Sequence, residues 1–96
     1  MSQEVPSSKE GHTIVVRVAR IEGHCAAGHQ VDDKVIFDGQ TAQGRVCLDA
    51  LSSFLPKVFA LRYGAEFPWL ADKDVDLHVC PDPVNSVVFE IRRLHE

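Results

Sequence analysis

Only one stretch of this 96-residue chain has the apolar spacing of a helix, and segments with the alternation of β-strands flank it on both sides. The helical stripe consists of Cys47, Leu51, Phe54, Leu55, Val58 and Leu61, at steps of three and four. Gly64 is a natural stop after it. Pro56 cannot donate a hydrogen bond to the carbonyl four residues back. We therefore expect a kinked helix, or a pair of short helices of which Ser52 or Ser53 caps the second.

Two predicted strands precede the helix and two follow it. The first covers 13–21, and the second ends at Phe37 before the turn pair Asp38-Gly39. The last two cover about 75–80 and 86–94 and form a hairpin. This ββαββ order predicts an α+β fold in which an antiparallel sheet packs on one helical segment, either open or curled into a partial barrel.

Composition and charge bound the class of protein. Residues 12–96 suffice for one domain, and 1–11 are predicted to be a disordered tail. A net charge of −4 without a basic stripe argues against a nucleic-acid partner. The chain has no signal-peptide core and no run near the roughly 20 apolar residues that cross a membrane. We expect a cytoplasmic protein, where thiols stay reduced, and three cysteines cannot all pair within one chain.

Thiols and imidazoles are the side chains that carry the candidate chemistry. Cys25 and His29 share a loop, Cys47 begins the helix, and His78 and Cys80 share one face of a strand. A helix start stabilises a thiolate. If the first and third predicted strands end side by side, three thiolates and His29 would form a tetrahedral site that suits zinc, with His78 as the substitute ligand. Iron and copper are the alternative metals.

Burial and nucleophilic reactivity are two alternatives to metal binding for the cysteines. No Cys-x-x-Cys pair is present, and Cys47 lies on the apolar stripe of the helix, where burial explains it. Cys80 points away from the apolar residues of its strand, so burial explains it less well. A thiolate at Cys25 or Cys47 could also be a nucleophile or a persulfide carrier, which leaves enzymatic activity open.

A non-catalytic interaction module is the main alternative to a thiol or metal site. In it the cysteines are buried, and a sheet edge or the Phe67–Trp69 loop meets a protein partner or a second copy of the chain.

Four short motifs combine in this chain. They are Gly23-x-Cys25-x-x-Gly28-His29, Gly44-x-x-Cys47-x-x-Ala50-Leu51, Tyr63-Gly64-Ala65 and Cys80-Pro81-Asp82-Pro83. In this combination, over 13–94, the chain resembles a family of small bacterial and archaeal proteins of about this length with no assigned activity. The resemblance implies that the three cysteines belong to one recurring pattern, and it brings no substrate or cofactor. That family has a glycine before the aspartate where this chain has Asp32 before Asp33. We expect a metal-binding or thiol redox site built on the three cysteines.

Overall fold

The computed structural model describes residues 11–23, 28–82 and 84–95, and the predicted tail at 1–11 lies outside them except for Gly11. The described residues form an α+β fold in which an antiparallel sheet of five strands packs against one helix. The elements are β1 (Ile14–Ile21), β2 (Lys34–Asp38), β3 (Thr41–Gln43), α1 (Leu48–Arg62), β4 (Val75–Val79) and β5 (Val87–Arg93). Their spatial order in the sheet is β3-β2-β1-β5-β4.

One feature of the predicted architecture is wrong, and of the two alternatives for the sheet the structure has the open one. The element order is βββαββ rather than ββαββ, because the chain turns back after Asp38 and adds β3 along β2. β3 has three residues, all exposed and without apolar alternation, so nothing in its composition marks a strand. The sheet also does not close into a partial barrel, since β3 and β4 are its two edges.

The core lies between α1 and the two central strands, β1 and β5. Ile14, Val16 and Val18 alternate inward along β1, as the sequence predicts. The pairing with β5 then shifts by one residue between Val18 and Arg20. This bulge places Ile21 against the core, whereas strict alternation would have turned Arg20 inward.

The helix is one continuous element, so of the two predicted alternatives the pair of short helices is excluded. Pro56 lies inside it. Because proline has no N–H, the carbonyl of Ser52 four residues back has no hydrogen-bond partner in the helix. Ser52 and Pro56 are both exposed, so water can donate to that carbonyl. The Ser52 and Ser53 hydroxyls donate to carbonyls three residues back instead of capping a second helix. Within the described residues, no helix combines the length and the apolar character that crossing a membrane requires.

The two faces of β4 are reversed relative to the sequence-based expectation. His78 lies opposite Phe89 of β5 and therefore on the helix side of the sheet. Leu77 and Val79 point to the other side, where they are 57% and 53% exposed. Alternation identifies residues that share a face, but the register with β5 decides which face is covered.

A buried arginine fastens the end of α1 to the sheet. The Arg93 side chain is 3% exposed, and its Nε donates to Asp74 Oδ1 at 2.9 Å. Nη1 donates to the carbonyls of Leu61 and Ala65, and Nη2 donates to the carbonyl of Lys73. One guanidinium thus joins the end of α1, the loop that follows it and β5.

Candidate functional site

The predicted cysteine and histidine residues do not form one cluster in the described part of the chain. Cys25 falls in 24–27, outside the described residues. No group of three or more histidine, cysteine, aspartate or glutamate side chains in 11–23, 28–82 and 84–95 is placed to hold a metal ion.

The strand order explains part of this separation. The backbone N–H of Cys80 donates to the carbonyl of Val87, and Val87 is paired with Ile21 at the end of β1. β5 therefore lies between β1 and β4, which puts their ends two strand spacings, about 10 Å, apart. The side-by-side placement that the predicted three-cysteine site needs is not present.

His29 and Cys47 are in contact at the start of α1. The backbone N–H of Cys47 donates to His29 Nε2 at 3.1 Å. His29 is only 6% exposed, and its ring meets the ring of Phe89 edge-on with centroids 5.6 Å apart. The loop before β2, the helix start and the centre of β5 thus converge on one imidazole.

The hydrogen bond fixes the proton on the His29 ring. Because Nε2 accepts a hydrogen bond, the neutral ring carries its proton on Nδ1. Burial lowers the pKa of His29, Asp33 opposes that shift, and Arg45 adds to it. His29 Nδ1 is buried and finds no hydrogen-bond partner among the described residues. In this arrangement neither nitrogen offers a lone pair to a metal, which favours a role for His29 in positioning the helix start.

Cys47 occupies the N-cap position of α1, one residue before the first turn. Its backbone is extended (φ −65°, ψ 133°), and its side chain makes no capping hydrogen bond. The thiol is half-buried and packs against the core. An anion at a helix N-terminus is stabilised by about 0.3–1 kcal/mol, although Asp49 in the first turn offsets part of that effect. Cys47 is therefore both a core neighbour and a thiol at a helix start.

His78 has a structural explanation. Its Nε2 lies 2.8 Å from Ser53 Oγ, and that hydroxyl donates its own proton to the carbonyl of Ala50. His78 Nε2–H is therefore the donor to Ser53. Burial lowers the pKa of His78, Lys57 adds to the shift and Asp76 opposes it. The imidazole joins β4 to the middle of α1.

Cys80 also has a structural explanation. Its Sγ accepts the backbone N–H of Val87 at 3.1 Å, and its S–H donates to the carbonyl of Asn85 at 3.7 Å. The thiol thus holds the turn between β4 and β5. It follows β4 directly and packs against the core, which corrects the expectation that burial explains it poorly.

Backbone geometry explains why glycine flanks this site. Gly44 has φ +129°, and a Cβ there would collide with the carbonyl oxygen of Lys34. The chain therefore passes close to β2 three residues before Cys47. Gly28 has φ +78° and lies beside the Arg45 guanidinium. Asp32, before β2, is a non-glycine residue with positive φ, at +74°.

Sequence reasoning missed Ser53 and Phe89 as partners of the two histidines. No pattern in the chain signals these contacts, because each joins elements far apart in sequence. Comparisons with models of protein families, with curated proteins and with solved structures find no match to this chain.

Proposed function

We propose that this domain carries one reactive thiol, Cys47, and acts by thiol redox chemistry at the start of α1. The observation that carries the proposal is the contrast between two thiols. Cys80 uses its sulfur in two hydrogen bonds of a turn. The Cys47 thiol makes no hydrogen bond within the described residues and lies at a helix N-terminus without a side-chain cap.

The reaction we propose is thiol–disulfide exchange. The Cys47 thiolate attacks one sulfur of a disulfide, forms a mixed disulfide, and releases the other half as a thiolate that takes up a proton. His29 holds the backbone of Cys47 in place through its Nε2. The prediction that Cys25 is a nucleophile falls on 24–27, outside the described residues.

Reaction with oxidised glutathione tests the proposal. The full chain is incubated with the disulfide, and mixed-disulfide formation is followed by mass spectrometry in the wild type and in the variants Cys47→Ser and Cys80→Ser. We expect Cys47→Ser to abolish the fast adduct and Cys80→Ser to retain it. An adduct that persists in Cys47→Ser contradicts the proposal.

Elemental analysis of the same preparation tests the metal alternative. Close to one zinc, iron or copper per chain would replace the redox proposal with a metal site. That site would need at least one ligand outside the described residues, such as Cys25, because the described residues provide no group of three ligands.

A protein contact is the second candidate function, and one surface favours it. A cleft of about 470 Å³ lies between α1, the loop after it and β4, and is lined by Pro56, Lys57, Ala60, Phe67, Trp69 and Asp76. Trp69 is 73% exposed, and the centroid of its ring lies 5.0 Å from the centroid of the Phe67 ring. Exposed aromatic residues are enriched at protein interfaces. If a second copy binds here, sedimentation should show a dimer that Trp69→Ala dissociates, and a monomer at all concentrations would leave only a different protein as partner.

A further inference from the structure

The first half of α1 is tied to the rest of the fold by imidazoles. Two hydrogen bonds in the described residues make this connection. His29 Nε2 accepts from the Cys47 N–H at 3.1 Å, and His78 Nε2 lies 2.8 Å from Ser53 Oγ. Imidazole is the side chain that changes charge between about pH 5 and 8.

The second half of α1 is tied by groups of another kind. Lys57 Nζ donates to the carbonyl of Leu77 at 2.9 Å, and Arg93 Nη1 donates to the carbonyl of Leu61 at 3.0 Å. Ammonium and guanidinium groups keep their charge throughout the acidic range. The first half of α1 is therefore attached through groups that take up a proton in the mildly acidic range, and the second half through groups that do not.

Protonation of His29 is incompatible with its present contact. An imidazolium carries a proton on both nitrogens, so Nε2–H would face the N–H of Cys47 and the hydrogen bond would be lost. The ring lies against Phe89 and is 6% exposed, which disfavours a cation. Of the charged groups nearby, Asp33 favours the cation and Arg45 disfavours it.

Protonation of His78 keeps its hydrogen bond to Ser53, because Nε2–H is already the donor, and the charged ring is disfavoured mainly by burial. Its ring packs edge-on against Phe54 of α1, with centroids 6.2 Å apart, and burial disfavours the charged form. Lys57 of α1 disfavours the cation, and Asp76 on the same strand favours it. Both histidines thus take up a proton more readily when the helix start moves away from the sheet.

We propose that α1 is an acid-sensitive latch, whose first half, from Cys47 to Leu55, opens from the sheet more often on acidification, against the burial of Phe54, while its second half stays attached. The inference rests on the two imidazole contacts and is independent of the reactivity of Cys47.

The size of the effect follows from proton linkage. A histidine exposed by opening has an ordinary pKa of about 6.5. Each proton taken up on opening multiplies the opening equilibrium by up to about ten for every pH unit below that value. One histidine therefore gives up to about a tenfold increase per pH unit, and two give up to about a hundredfold.

Amide hydrogen exchange by NMR tests the latch on the full chain, from about pH 7.5 to about pH 5.5. Protection factors, which correct for the intrinsic pH dependence of exchange, should fall about ten- to a hundredfold in total between about pH 7.5 and about pH 5.5 for 51–55. Those of 58–62 should change less than about threefold. Equal loss in both halves, or no loss in either, would overturn the proposal.

The double variant His29→Gln, His78→Gln is the matched control. Glutamine can accept and donate a hydrogen bond but does not titrate in this range, so the pH response of 51–55 should disappear. A response that persists in a folded double variant overturns the proposal. If the double variant does not fold, the contrast between the two halves of α1 in the wild type decides by itself.

Discussion

Replacing Arg93 by alanine is expected to lower the free energy of unfolding by about 3–5 kcal/mol. The guanidinium is 3% exposed and makes four hydrogen bonds, to Asp74 Oδ1 and to the carbonyls of Leu61, Ala65 and Lys73. Truncation leaves these acceptors without their donor, and hydrogen bonds to a charged group contribute about 1.5–3 kcal/mol each when counted singly. The single-bond values do not add, because the loop can relax and admit water.

The assay is urea unfolding followed by circular dichroism. The free energy of unfolding of a domain of this size is roughly 5–15 kcal/mol, so the loss expected for Arg93→Ala is a large fraction of the total. With a denaturant slope of about 1–3 kcal/mol per molar urea, the midpoint should fall by about 2 M. The variant Arg93→Lys keeps the positive charge but loses the planar guanidinium, and should lower the free energy of unfolding by about 1–3 kcal/mol.

Arg92 provides the matched control on the same strand. Its side chain is 46% exposed, and Glu90, its ion-pair partner, also pairs with Arg17, so Arg92→Ala should change stability by less than about 1 kcal/mol. If Arg93→Ala and Arg92→Ala differ by less than about 1 kcal/mol, the reasoning from burial and hydrogen bonding is refuted.

Three further predictions concern the turn before β2, the free edge of β4 and pH. Asp32→Gly should be more stable than Asp32→Ala by about 0.5–1 kcal/mol in thermal unfolding, since both lose the contact with Arg17 but only glycine adopts φ +74° without strain. Lys57→Ala removes the ammonium from the outward carbonyl of Leu77 and should cause concentration-dependent association in sedimentation, which Lys57→Arg should not. The free energy of unfolding should be constant above about pH 6.5 and fall below it. The pKa of His29 is lowered in the folded state, so the unfolded chain takes up this proton at a higher pH than the folded chain does. Urea midpoints that stay constant between about pH 7 and 5.5 would exclude this effect.

Acid acts on carboxylates in a lower pH range. His95 and then Arg93 hold the pKa of Asp74 below its ordinary value. Stability from this carboxylate is present above the ordinary aspartate pKa of about 3.9 and is lost as pH falls below it. The histidine effect near pH 6 is therefore separable from the carboxylate effect near pH 4.

The central strands and the helix were predictable because their apolar patterns are strong. β1 has a β-branched residue at every inward position from Ile14 to Val18, and α1 buries Phe54, Val58 and Leu61 on one stripe. Such patterns report burial directly. β3 escaped prediction because an exposed edge strand of three residues needs no apolar side chain.

The site was less predictable, because contacts between distant elements decide it. Cys80 and His78 were placed correctly on one strand face, but their roles depend on the register with β5 and on Ser53 of α1. The convergence of cysteines required the ends of β1 and β4 to be adjacent, and β5 lies between them. Residue types identified where chemistry is possible, whereas strand order determined which residues meet.

Competitive alkylation of the native chain tests the central claim most directly. Limiting iodoacetamide, followed by peptide mass spectrometry, gives the relative rates of Cys47 and Cys80 in one sample. Reaction at Cys80 must break two hydrogen bonds worth about 0.5–1.5 kcal/mol each, so Cys47 should react about tenfold faster or more. Equal rates, or a faster Cys80, would contradict the assignment of the start of α1 as the reactive site.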